Sequence, residues 1–130
     1  MHNPEHLRPA HSDQTVILVV DDDVLVQNIV RIILEKEGYF VLTAENGEEA
    51  LYISRKYPGP IHLVVSDVIM PKMDGLALRE QITKERIETR VLLMSGETPN
   101  IGTGPFLRKP FGPKELLSKT HEIIKDPPSR

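Results

Sequence analysis

I-H-L-V-V-S-D-V-I-M-P-K-M-D-G, residues 61–75, decides how this chain is read. Ile61, Leu63, Val64 and Val65 make a short apolar run between Pro58-Gly59-Pro60 and Pro71, the pattern of a strand buried on both faces. Asp67 stands at its carboxyl end, which in an open parallel sheet is the edge where ligands bind. A single aspartate after a strand is ordinarily a cap or turn residue. Its meaning therefore depends on what else reaches that edge.

Moving outward, Thr15 to Val20 is a second wholly apolar strand, and it too ends in acid, at Asp21, Asp22 and Asp23. The spacing of Val26, Ile29, Val30, Ile33 and Leu34 predicts a helix over Val24 to Glu37, capped by Asp23 and stopped by Gly38. Tyr39 to Thr43 reads as a strand nearer an edge. Gly47 to Lys56 reads as a helix with Asn46 as cap and Ala50, Leu51 and Ser54 inward. Asp74-Gly75 opens a third helix to about Arg86, with Leu78 and Ile82 one turn apart on its buried face. Arg90 to Met94 and Pro105 to Arg108 are the fourth and fifth strands. Pro113 to Lys125 is a last helix carrying Leu116, Leu117, Ile123 and Ile124, with Pro113 near its first position.

Strands alternating with helices at this spacing call for an α/β fold, a doubly wound parallel sheet with right-handed crossovers. The expected order of the five strands is 2-1-3-4-5, which sets the first and third side by side and brings Asp21, Asp22 and Asp67 to one pocket. One link breaks the alternation. Only S-G-E-T-P-N-I-G-T-G, residues 95–104, lies between Met94 and Pro105, too little for a crossover helix, and Pro99, Gly102 and Gly104 argue the same way. The fourth helix is expected to be shortened or absent.

The 130 residues suit one domain, expected over 15–125, with flexible tails at 1–14 and 126–130. The absence of cysteine excludes thiol catalysis, zinc ribbons and disulfide scaffolds. Sixteen basic and nineteen acidic residues are interspersed, a net charge of -3, so neither a nucleic-acid face nor a polybasic membrane arm is expected. No apolar run approaches the roughly 20 residues that span a bilayer. The first fourteen residues have no apolar core of a signal peptide, so a soluble, cytoplasmic protein is expected. His2, His6 and His11 are read as part of the polar tail rather than as metal ligands.

Three carboxylates in one pocket repel unless a cation or protons neutralise them. Oxygen-only donors at an open edge favour Mg²⁺. Ser95 at the end of the fourth strand and Lys109 just after the fifth should reach the same edge. A carboxylate nucleophile, a metal, a hydroxyl and an ammonium are the parts that place and neutralise a transferring phosphoryl group.

V-V-D-D-D at 19–23, S-D-V-I-M-P-K-M-D-G at 66–75, M-S-G at 94–96 and F-L-R-K-P-F at 106–111 together resemble the receiver domain of two-component response regulators, over about Thr15 to Lys125. The resemblance implies a flavodoxin-like (CheY-like) fold, with Asp67 as phosphoacceptor from the phosphohistidine of a sensor histidine kinase, hybrid kinase or phosphotransfer protein. It implies Mg²⁺ held by Asp21, Asp22, Asp67 and the backbone carbonyl of Ile69. Ser95 would hydrogen-bond the phosphoryl group, Lys109 would pair with it through a cis Lys109-Pro110 bond, and Phe106 stands where receivers often carry an aromatic switch residue. Ordinary core packing is the competing reading of Phe106. Such a domain is a phosphoacceptor that assists its own phosphorylation and dephosphorylation, not an enzyme in the usual sense.

Receivers normally carry a whole helix between the positions of Ser95 and Lys109. Its loss here argues against a standard phosphorylation-driven dimer, so a monomer or weak dimer with an unknown output partner is expected, and 96–104 becomes a candidate for a loop that phosphorylation orders. Ile69 is apolar and cannot itself orient a hydrolytic water, and Glu97 could do so only if that loop brings it in, so a long-lived acyl phosphate is expected. Two rival readings remain. Asp21-Asp22-Asp23-Val24 also fits the D-x-D-x-[TV] opening of haloacid-dehalogenase-like phosphatases, with Asp21 as nucleophile and Asp23 as acid/base, but Lys109 lacks the acidic pair that family places after its lysine. The other is an interaction module that keeps the fold without using the phosphate site.

Overall fold

The computed structural model describes residues 14–97 and 100–125. Residues 1–13 of the tail expected at 1–14, with its three histidines, the tail expected at 126–130 with Pro127-Pro128, and Thr98 and Pro99 lie outside the described residues.

The elements follow one another as β1 (Val16–Val20), α1 (Val24–Lys36), β2 (Phe40–Ala44), α2 (Gly47–Lys56), β3 (Leu63–Asp67), α3 (Gly75–Glu85), β4 (Arg90–Ser95), β5 (Phe106–Arg108) and α4 (Pro113–Lys125). All pairings are parallel in the order β2-β1-β3-β4-β5, as the alternation predicts. Period-2 alternation divides the core between the two faces of the sheet. Val16, Leu18, Val20 and Val64 pack with Ala50, Ile53, Leu78 and Ile82 of α2 and α3. Ile17, Val19, Val65 and Leu92 pack with Val30 and Leu34 of α1 and Leu116 and Ile123 of α4. Both faces of β1 and β3 are thereby closed. Phe106 is half-buried against the first of these layers.

Local chemistry sets the element ends. Asp23 accepts from the Leu25 and Val26 amides, Asn46 from Glu49 and Asp74 from Ala77, each capping a helix as its residue type predicts. Glu115 returns to the Gly112 amide at the start of α4, where Pro113 occupies the first helical position. At the other end of α1, Gly38 takes φ 102° and donates to Glu35, while Tyr39 donates to the Leu34 carbonyl. This glycine-closed turn consumes the Tyr39 amide. The second strand therefore starts at Phe40, one residue later than its apolar pattern suggests.

One residue of α1 departs from its apolar period, and one residue at the end of α3 ties two helices together. Ile29, expected inward, is 49 % exposed, because the buried stripe of α1 runs through Gln27, Val30 and Leu34. Arg86, just past α3, is half-buried. Its guanidinium donates to the Ser54 hydroxyl and to the carbonyls of Ser54, Tyr57 and Gly59, which ties the end of α2 to the end of α3.

Between β4 and β5 the described residues form no helix, in agreement with the short spacing. Arg79 of α3 holds this connection by donating to the Ile101 and Thr103 carbonyls. An open groove of ≈ 270 Å³ lies beside it, lined by Arg79, Thr83, Ile87, Arg90, Thr103 and Pro105 among others, away from the acidic pocket. No helix among the described residues is long and apolar enough to cross a membrane.

Candidate functional site: an acidic pocket at the carboxyl edge of the sheet

The register of the sheet assembles the site step by step. Val20 pairs with Ser66, so Asp21 and Asp67 follow at the same level on neighbouring strands. Asp67 pairs with Met94 and Ser95 comes next on β4. Ser95 pairs with Arg108 and Lys109 comes next after β5. Parallel strands in this stagger deliver all four side chains to one edge.

Asp21 is fully buried, Asp67 half-buried and Asp22 exposed. One carboxylate oxygen from each lies within 4.8 Å of the others. Lys109 Nζ is 2.9 Å from Asp21 Oδ2 and 3.4 Å from Asp67 Oδ2, so a single ammonium faces two carboxylates. Burial pushes the Asp67 carboxyl above its ordinary value; the Lys109 charge opposes the rise, and the Asp21 and Asp22 charges add to it. Burial pulls the Lys109 ammonium down, but its hydrogen bond to Asp21 and the charges of Asp21 and Asp67 outweigh that and hold it above its ordinary value. One ammonium does not balance three acids. The excess negative charge and the all-oxygen donor set fit a small hard divalent cation.

Ser95 is buried, and its hydroxyl accepts from the Glu97 amide at 3.1 Å, which among the described residues leaves the O–H free to donate. The Glu97 side chain itself faces solvent. The Lys109 amide donates to the Ser95 carbonyl at 2.8 Å, and the Lys109-Pro110 bond is cis. Ile69, two residues beyond Asp67, exposes 55 % of its surface and offers the pocket no polar side chain. Asp23 spends its carboxylate on the helix cap, which removes the acid/base group that the phosphatase reading needs.

Three residues that shape the site escape a reading of residue types. Gly75 opens α3 against the Asp67 backbone, and its amide donates to the Val68 carbonyl. A β-carbon there would collide with the Asp67 carbonyl. Lys72 takes φ 69°, a left-handed conformation in the loop that carries Ile69 and Met70 away from Asp67. Gln27 is buried in α1, and its Nε2 donates to the carbonyls of Asp21 at 3.3 Å and Ala44 at 2.9 Å. The glycine has a signal in D-G at a helix start. The lysine and the glutamine have none in a single sequence.

A five-stranded doubly wound sheet with an acid cluster, a hydroxyl and an ammonium at its switch point defines an α/β domain of the kind whose ligand site lies at the carboxyl edge of the strands. The family model described as response regulator receiver domain matches residues 17–121, and the chain belongs to that family. It is 41 % identical over 117 residues to the probable transcriptional regulator ycf27 of Porphyra purpurea, covering 84 % of this chain and 47 % of that protein. It is 36 % identical over 118 residues to the sensor kinase CckA of Brucella abortus, covering 85 % of this chain and 12 % of the kinase. The fold superposes on the Vibrio cholerae chemotaxis protein CheY4 with a TM-score of 0.77 at 29 % identity, over 85 % of this chain and 98 % of that one. The chain thus spans about half or less of the two curated relatives, and most of CheY4. Membership in this family overturns the phosphatase alternative built on Asp21, which is also fully buried and engaged by Lys109.

Proposed function

We propose that this receiver domain accepts a phosphoryl group on Asp67 from the phosphohistidine of a sensor histidine kinase, hybrid kinase or phosphotransfer protein. The observation that carries the reading is Lys109 Nζ set between Asp21 and Asp67, in a pocket with three carboxylates and an unspent Ser95 O–H. An oxygen of Asp67 bonds to phosphorus as the phosphorus–nitrogen bond breaks, and the freed imidazole takes up a proton. Lys109 offsets the charge that gathers on the phosphoryl oxygens, and Ser95 donates to one of them. Asp21, Asp22, Asp67 and the carbonyl of Ile69 would hold Mg²⁺, which supplies charge neutralisation when bound.

Engagement of Ser95 and Lys109 by the new phosphoryl group is the switching event, with Phe106 on the neighbouring strand as the side chain that follows it. Two charge-assisted contacts contribute on the order of 1.5 to 3 kcal/mol each, and shifting a two-state domain from mostly off to mostly on takes roughly 5 kcal/mol. Both contacts are therefore needed. With Ile69 apolar and Glu97 turned to solvent, the acyl phosphate is long-lived. The domain works in the cytoplasm as a monomer or weak dimer, without contacting nucleic acid itself, and assists its own phosphorylation and dephosphorylation rather than turning over a substrate.

The donor docks over α1. Leu25, Ile29 and Ile32 are exposed at helical spacing on an element that begins directly after the pocket acids, and Ile69 is exposed on the loop after Asp67. The surface it presents to α1 is an apolar helix face that carries the phosphohistidine.

The direct test is intact mass after incubation with Mg²⁺ and a small-molecule phosphodonor. One added phosphoryl group, absent in Asp67→Asn and without metal, is expected. Equal labelling of Asp67→Asn would refute Asp67 as the acceptor.

A further inference from the structure

Asp22 is the most exposed of the three clustered acids, and among the described residues its carboxylate has no hydrogen bond to hold it. Its direction is set by its backbone. Each of the two peptide units that flank it is pinned by one side chain. On the far side, the Asp23 amide donates to Asp21 Oδ1 at 2.9 Å. On the near side, the Asp21 carbonyl accepts from Gln27 Nε2.

The β1–β2 ladder has its last paired residues at Val20 and Ala44, and the Asp21 amide adds one more bond to the Ala44 carbonyl at 3.1 Å. Beyond that point the strands diverge, and the Asp21 carbonyl has no strand partner. Gln27 fills the gap, since one amide nitrogen donates to both the Asp21 and Ala44 carbonyls, acting as an extra rung built from a side chain. Burial matters here because a 7 % exposed amide on a helix packed against the sheet has no water to trade for these carbonyls. The rung is rigid for that reason.

We propose that Gln27 is a positioning residue for the cation pocket: by locking the Asp21–Asp22 peptide it aims the otherwise unsupported Asp22 carboxylate at Asp21 and Asp67. The inference rests on the proposed binding of Mg²⁺ by these acids. It goes beyond it by naming a residue that touches neither the cation nor the phosphoryl group.

Gln27→Met keeps the length and volume of the side chain and removes the donor; Gln27→Glu keeps the shape and turns the donor into an acceptor. The control is Thr89→Val, which deletes a buried hydrogen bond to the Ile61 carbonyl at the opposite end of the sheet. Mg²⁺ affinity is measured by titration calorimetry, and the metal-free Asp22 and Asp23 amides are followed by NMR. Outer-sphere support of this kind is worth about 10-fold or more in metal affinity. We expect both Gln27 variants to bind Mg²⁺ about 10-fold more weakly, with phosphorylation by a small-molecule donor recovering at saturating Mg²⁺ and with shifted or broadened Asp22 and Asp23 amides. Thr89→Val should lose melting temperature and keep the wild-type Mg²⁺ affinity. Wild-type affinity in Gln27→Met, or an equal loss in Thr89→Val, overturns the proposal. A wild-type protein that binds no Mg²⁺ overturns the metal reading itself, and unmoved Asp22 and Asp23 amides in the metal-free variants would then overturn the positioning role separately.

Discussion

The backbone amide of Lys109 donates to the carbonyl of Ser95 at 2.8 Å, so one main-chain hydrogen bond sets the spacing between the two residues proposed to meet an incoming phosphoryl group. The pairing holds although the described residues of the intervening connection form no helix. The relative placement of the two backbones thus depends on the β4–β5 ladder, while the Ser95 hydroxyl also takes a hydrogen bond from the Glu97 amide at the start of the joining segment.

Lys109→Ala should keep this backbone bond and lose only the ammonium. We expect slow phosphorylation by a small-molecule donor to persist, while the conformational response to phosphorylation falls by roughly 10-fold or more, the worth of one charge-assisted contact. NMR shifts of Phe106 with and without phosphoryl group read the response. A full response in the variant would show that Ser95 alone drives the switch.

Asp67 sits above its ordinary value because of burial and its acidic neighbours. A carboxyl raised on folding binds its proton more tightly in the native state, so metal-free stability falls as pH rises from the unfolded value through the raised one. Asp67→Asn removes that loss. Its melting temperature should exceed the wild-type value at pH 7 without metal, and the gap should close in acid once Asp67 is protonated in both states. A gap that widens in acid has the wrong sign for this account.

Lys72 holds a left-handed conformation that costs a non-glycine residue about 1–2 kcal/mol, whereas glycine gives up roughly 0.5–1 kcal/mol of chain entropy. Lys72→Gly is expected to stabilise the domain by up to about 1 kcal/mol in urea unfolding. Its exposed side chain has no bond to lose among the described residues. Destabilisation would mean that the lysine carries a contact worth more than the strain.

Ile29→Ser alters the exposed stripe of α1 without touching the core. Phosphoryl transfer from a phosphorylated kinase or phosphotransfer partner should slow by about 10-fold, the effect of losing a moderate interface contact, with labelling by a small-molecule donor unchanged. Equal slowing with both donors would place the defect in the pocket and not in docking.

The strands, the caps and the order of the sheet were legible because each rests on local chemistry: apolar runs bounded by proline, Asp23, Asn46 and Asp74 at helix starts, Gly38 at a helix end. The meeting of Asp21, Asp22 and Asp67 followed from that order, and the helix-poor connection from simple chain length. What stayed hidden depends on partners distant in sequence. Gln27 looks like a polar interruption of an apolar helix until two carbonyls at the ends of β1 and β2 are seen to need a donor. Arg86 looks like a helix-end charge until the carbonyls of Ser54, Tyr57 and Gly59 converge on it. Ile29 fits the helical period as well as its neighbours do, and only the packing direction of α1 sends it outward.

β1 is apolar throughout, buried on both faces and paired on both edges. Its partner β3 arrives more than forty residues later in the chain, so a nascent polypeptide carries T-V-I-L-V-V uncovered for as long as that synthesis takes. A short, uncharged, β-branched segment in that condition is a template for intermolecular strand pairing. The three aspartates that follow it place a block of negative charge at its end, where it repels a second copy. Asp21 and Asp22, two of the pocket acids, thus share with the cap residue Asp23 a second task in the unfolded chain, and neutralising all three would leave the strand's end without that repulsion.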